Sequence, residues 1–177
     1  MRTAVVALGF GAGFAAPVLG HTLDEYVQAT LVSVEANQIL ASVRLKPGVE
    51  VFPQVFRAID ADSDGQLSKE EEAKYLQRVI GDLSLSVDGT RLEPRMLWGR
   101  FPPTDDMKEG RGEILIELAA AVSPRSGART LVIENRHQPR ISAYLANSVV
   151  PRDPGIRILA QNRSNDQSIY ELRYIQP

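Results

Sequence analysis

No cysteine occurs among the 177 residues, and only two histidines, His21 and His137, are present. The first absence excludes disulfides, thiolate metal centres and a thiol nucleophile. The second leaves a poor ligand count for a transition-metal centre. No GxSxG elbow, phosphate-binding loop or HExxH pair is found, and the expectation is therefore that the chain is not an enzyme. Beyond residue 20 no apolar run approaches the ~20 residues that a membrane-spanning helix needs. A formal net charge of -2 gives no basic excess for nucleic acid, and no nucleic-acid-binding module is recognisable.

What is present begins with MRTAVVALGFGAGFAAPVLG at residues 1–20: one positive charge, an apolar run, and small residues at its end. It has the form of a secretory signal peptide, with Val18 and Gly20 three and one places before a cut that leaves His21 first. A retained membrane anchor is the competing reading, against which stand the shortness of the run, Pro17 at its end and the lack of a charged flank. GFGAG within it lacks the third glycine and the strand and helix context of a dinucleotide fingerprint. The remainder, 21–177, is expected to be one domain that is periplasmic or secreted.

Its most informative stretch is DADSDGQLSKEE, from Asp60 to Glu71. Carboxylates stand at the first, third and fifth places, glycine at the sixth and glutamate at the twelfth. Asp60, Asp62 and Asp64 can each offer an oxygen to a hard cation. Gly65 allows a sharp reversal, Gln66 presents its main-chain carbonyl, Ser68 suits a bridging water, and Glu71 can supply two oxygens. The spacing resembles the EF-hand calcium loop at every defining place. The alternative is a solvated acidic turn, and the flanks argue against it. Upstream, Phe52, Val55, Phe56 and Ile59 recur at helical spacing with Pro53 in the first turn. Downstream, Ser68 and Glu71 form a capping-box pattern ahead of Tyr75, Leu76, Val79 and Ile80, with Gly81 after them. The resemblance covers 52–82. It implies Ca²⁺ as cofactor and Asp60, Asp62, Asp64, Gln66 and Glu71 as ligands, with Leu67 as the residue that EF-hands use to pair with a second loop.

Outside this unit the dominant period is two. Ile39, Ala41, Val43 and Leu45 share one face, as do Leu83, Leu85 and Val87, then Ile114, Ile116 and Leu118, and finally Tyr170, Leu172 and Tyr174; IRILA near the C-terminus is expected to follow suit. Turn residues separate these runs at Asp88-Gly89, 123–127, 151–155 and 162–166. The expected fold is mainly β, an antiparallel β-sandwich with two strands before an inserted EF-hand helix-loop-helix and six or seven after it. The segment PPTDDMKEGRG at 102–112 shows no pattern and is expected to be a mobile loop, with Asp105 and Asp106 as surface charge rather than an acid and base pair. Arg136, Arg140, Arg152, Arg157 and Arg163 alternate with apolar residues as on a solvated sheet face.

HTLDEYVQATLVSVE, LKPGVEVFPQV and ENRHQPRISAYLANSVVPRDPGIRILAQNRS also resemble the exported front domain of bacterial membrane proteins of the hydrogenase and urease accessory, nickel permease-like kind. That resemblance implies an extracytoplasmic location and a membrane-protein partner, and no nickel site in this domain. The function expected is a calcium-stabilised accessory or partner-binding module. The alternative is copper or nickel handling through the amine and imidazole of His21 together with His137. A staple is expected rather than a sensor, because a sensor exposes a methionine-rich groove and neither Met96 nor Met107 lies in the helices flanking the loop.

Overall fold

The computed structural model describes residues 24–177, so the expected leader over 1–20 and His21 lie outside the described residues. Two five-stranded sheets face one another across one apolar core. The first has the order β5-β6-β2-β1-β8 and the second β4-β3-β7-β10-β9, where β1 is Tyr26–Val34, β2 Gln38–Pro47, β3 Leu83–Val87, β4 Thr90–Leu92, β5 Arg95–Arg100, β6 Ile114–Ala121, β7 Gly127–Asn135, β8 Ser142–Ser148, β9 Arg157–Arg163 and β10 Ile169–Gln176. Alternation in the sequence becomes alternation of burial. Ile39, Ala41, Val43 and Leu45 face inward from β2, Leu83, Leu85 and Val87 from β3, Ile114, Ile116 and Leu118 from β6, and Tyr170, Leu172 and Tyr174 from β10. Asp88 and Gly89 join β3 to β4 with φ of 53° and 79°, the paired left-handed conformation of a two-residue hairpin turn.

The mainly β sandwich expected from the sequence is the fold observed, with three departures. One strand pair is parallel: β8 lies beside β1 with Tyr26 opposite Ser142 and Val32 opposite Ser148. The cause is topological. β7 ends in the second sheet at the pole where β1 begins, 136–141 crosses to the first sheet at that same pole, and β8 must then run the same way as β1. Secondly, eight strands rather than six or seven follow the helical unit. Two of them, β4 and β5, lie at sheet edges, and β5 carries a register shift between Met96 and Trp98, so neither shows sustained alternation. β9, the edge of the second sheet, also meets a register shift; there Ile158 packs inward while Leu159 is exposed.

Thirdly, 102–112 is built around a short helix, α3 (Thr104–Lys108), whose Met107 is fully buried. A β-carbon on Gly112 would stand 2.8 Å from Pro102 Cγ and 2.9 Å from the Met107 amide nitrogen, so this turn closes tightly. A single apolar anchor in a polar stretch has no period, which is why the sequence pattern does not announce it.

The helical unit consists of α1 (Phe52–Ile59) and α2 (Lys69–Gly81). It runs from β2 of the first sheet to β3 of the second, and so forms the crossover that closes one pole of the sandwich. Val55 and Ile59 of α1 and Tyr75, Leu76 and Val79 of α2 are buried in the common core. Tyr75 meets Phe101 edge to face with ring centres 6.2 Å apart. Leu76 lies over Gly99 of β5, where an added β-carbon would come within 2.5 Å of its Cδ1.

Candidate metal centre

Between α1 and α2 the chain reverses through 60–68, and its own carboxylates fold it. Asp60, which ends α1, accepts N–H bonds from Asp64 (3.2 Å) and Gly65 (3.0 Å); Asp62 accepts from Asp64 (3.1 Å); Asp64 accepts from Gln66 (2.7 Å). Ser63 and Gly65 have φ of 61° and 81°, and Gly65 takes that conformation without a side-chain penalty. Ser68 starts α2 with both halves of a capping box in place: Glu71 N–H donates to Ser68 Oγ (3.3 Å), and Ser68 N–H donates to Glu71 Oε2 (2.9 Å).

Glu71 also reaches back across the loop. Its Oε1 accepts from Ala61 N–H at 2.7 Å and, at the longer distance of 3.5 Å, from Asp62 N–H, while Oε2 additionally takes the Ser68 hydroxyl at 2.8 Å. One carboxylate thus ties the first residues of the loop to the first turn of the exiting helix. These donors, the Ser68 amide and hydroxyl foremost, push the Glu71 carboxyl down to about 2. It is an anion at any pH of interest.

Asp60, Asp62 and Glu71 are brought together so that one ligand oxygen from each lies within 4.8 Å of the others. Oxygens on opposite sides of a calcium ion are about 4.6–5.2 Å apart, given bonds of about 2.3–2.6 Å, so a single cation of that size can bridge this set. The donors are hard oxygens, which suits such an ion and not a soft one. Of the other ligands expected from the sequence, Asp64 stands outside this group with one oxygen turned to Gln66 N–H, and Gln66 is held by that bond. Leu67 packs against the chain's own core.

A second cluster, absent from any spacing in the sequence, sits against α2. His137 is fully buried; its Nδ1 lies 2.7 Å from Asp82 Oδ2 and its Nε2 2.9 Å from the Tyr75 hydroxyl, which in turn lies 2.9 Å from the Tyr26 hydroxyl. A carboxylate only accepts, so Nδ1 carries the proton and Nε2 accepts from Tyr75. Tyr75 then accepts from Tyr26 and from the Gln138 amide (3.2 Å), so both tyrosine hydroxyls and both ring nitrogens have partners. Burial pushes His137 below its ordinary value despite Asp82 and pushes the Tyr26 and Tyr75 hydroxyls well above theirs. All three shifts favour the neutral form of the buried group. A metal ion at either ring nitrogen of His137 would have to break one of these bonds. The hint in the sequence was tyrosine at two core positions, since a buried hydroxyl needs a partner; the partner itself is 62 residues away from Tyr75.

Acid should weaken the fold in two stages. As pH falls below 6.5 the unfolded chain protonates its histidine first, because the folded ring resists, so the His137 contribution is present above 6.5 and declines below it. Glu71 behaves likewise in its own range: its contribution is present above 4.5 and lost as pH falls toward 2. Urea denaturation in EDTA from pH 7.5 to 3 measures both, and His137→Gln should remove the first decline while leaving the second.

Between the helices and the 136–141 crossover lies a cleft of about 350 Å³, with Arg78, Asp82 and Arg140 among its lining and His137 at its floor. No helix among the described residues is long and apolar enough to cross a membrane. Comparison of the chain with known protein families, with curated proteins and with solved structures finds no match.

Proposed function

We propose that this is a calcium-stabilised extracytoplasmic accessory domain, in which one Ca²⁺ held by the 60–71 loop staples the helical crossover to the β-sandwich. The observation that carries the reading is the convergence of Asp60, Asp62 and Glu71 at the crossover between the two sheets. Asp64 and the Gln66 carbonyl are the further donors that the loop pattern supplies. The ion's contribution is charge and coordination: it neutralises mutually repelling carboxylates and joins the end of α1 to the start of α2. The apolar faces of both helices are already within the core, which suits a staple and leaves no methionine-lined groove for a sensor to expose. The exported location and a membrane-protein partner follow from the resemblance of the leader and of the three longer segments.

Titration calorimetry tests the site. One ion per chain is expected, with a dissociation constant between roughly 10⁻⁵ and 10⁻³ M. Calcium should leave hydrophobic-dye binding and the mass by light scattering unchanged. A rise in dye binding would mean a sensor, a doubled mass a calcium-dependent dimer, and uptake of Cu²⁺ or Ni²⁺ in place of Ca²⁺ the transition-metal alternative.

A further inference from the structure

We infer that His137 is a positioning residue for the calcium loop: by gripping α2 at two points it holds Glu71 in place, and so sets calcium affinity without touching the ion. The inference rests on the reading of Asp60, Asp62 and Glu71 as the calcium site. Along α2 and its C-cap residue Asp82, Glu71, Tyr75, Arg78 and Asp82 are spaced four, three and four residues apart, which at about 100° per residue keeps them within about 60° of one another on the helix surface. Each makes a different tie. Glu71 bonds the loop backbone at Ala61; the Arg78 guanidinium donates to the Ala58 carbonyl (3.1 Å) in the last turn of α1, just ahead of Asp60; Tyr75 and Asp82 both bond the ring of His137. The two grips of His137 are about 10 Å apart along the helix axis.

His137 is in turn anchored to both sheets. Its carbonyl accepts from Gln28 of β1 (2.9 Å) and from Ser142 (3.1 Å) and Tyr144 (2.9 Å) of β8, and its N–H donates to Asn135 Oδ1 of β7 (2.9 Å). The next residue, Gln138, holds φ at 47°, an uncommon conformation for a side chain of that kind, and from there its amide reaches Tyr75. A helix pinned at two points two turns apart cannot swing away from the loop. The order that calcium binding requires of α2 therefore exists before the ion arrives, and affinity is correspondingly higher than for a free helix. Coupling between two sites is reciprocal, so calcium must also tighten the His137 clamp.

The test is titration calorimetry at pH 7.5, well below every melting transition, on the wild type, His137→Gln and Tyr75→Phe, with Val43→Ala as a control that weakens the core away from α2. Both clamp variants should raise the dissociation constant about tenfold with one ion per chain retained, and the control should leave it unchanged. Tyr75→Phe keeps the packed ring, so it serves if His137→Gln fails to fold. By NMR, calcium should slow solvent exchange of the wild-type His137 ring N–H. Wild-type affinity in both clamp variants, or ring exchange indifferent to calcium, would overturn the positioning role and leave the calcium site standing. A wild type that takes up no calcium would instead overturn the site, and this inference with it.

Discussion

Calcium at about 1 mM should raise the melting temperature of the domain by roughly 5–10 °C if the dissociation constant is near 10 µM. The stabilisation from binding only the folded state is then about 2.7 kcal/mol, and a domain of this size shifts by about 2–4 °C per kcal/mol. At the weak end, near 1 mM, the same relation gives about 0.4 kcal/mol, so the size of the shift reports the affinity independently of calorimetry. Glu71→Gln should remove most of the shift, because it replaces a buried carboxylate that faces Asp60 and Asp62. The variant must be compared with its own EDTA baseline, since Glu71 also completes the capping box of α2, worth about 1 kcal/mol without any ion. A calcium shift that survives in Glu71→Gln would place the ion elsewhere.

His137→Ala should cost the fold about 3–5 kcal/mol. The substitution leaves a cavity where a fully buried ring stood, between Tyr26 (ring centres 6.1 Å apart) and Tyr75 (5.3 Å), and it strips partners from the Tyr75 hydroxyl and Asp82 at once. Loss of that size is a large share of a domain's typical 5–15 kcal/mol. The urea midpoint measures it. A cost below about 1 kcal/mol would mean that water fills the gap and rebonds both partners, and that the clamp is not what fastens α2 to the sheets. The two expected effects have different origins: on the proposed reading, removing calcium would loosen the loop end of α2, whereas removing the imidazole would free the middle and far end of the same helix.

Much of the fold was legible because its signals are local or periodic. Half-buried strands alternate by geometry, so β2, β3, β6 and β10 announce their inner faces. A helix start bonded within four residues is equally plain, and the Ser68–Glu71 capping box is formed as the pattern reads. The loop acids likewise show a regular spacing, the one that a cation wrapped by one continuous chain would need. Edge strands, the Met107 anchor and the register shifts carry no such period, and they appear only when neighbours are in place.

What the sequence alone determined, then, is a mainly β chain with an acidic loop between two amphipathic helices. Three matters were decided only by tertiary structure. The parallel β1–β8 pair follows from which pole the chain crosses, a property of the whole path. The convergence on Asp60, Asp62 and Glu71, with Asp64 turned aside to Gln66, depends on how the backbone N–H groups of a folded loop compete for carboxylate oxygens. The Tyr26–Tyr75–His137–Asp82 chain joins residues 49, 62 and 55 positions apart. Each is polar, and burial of Tyr26, Tyr75 and His137 is tolerable only because the partners arrive together, a condition that no stretch of sequence expresses and that the closed sandwich meets.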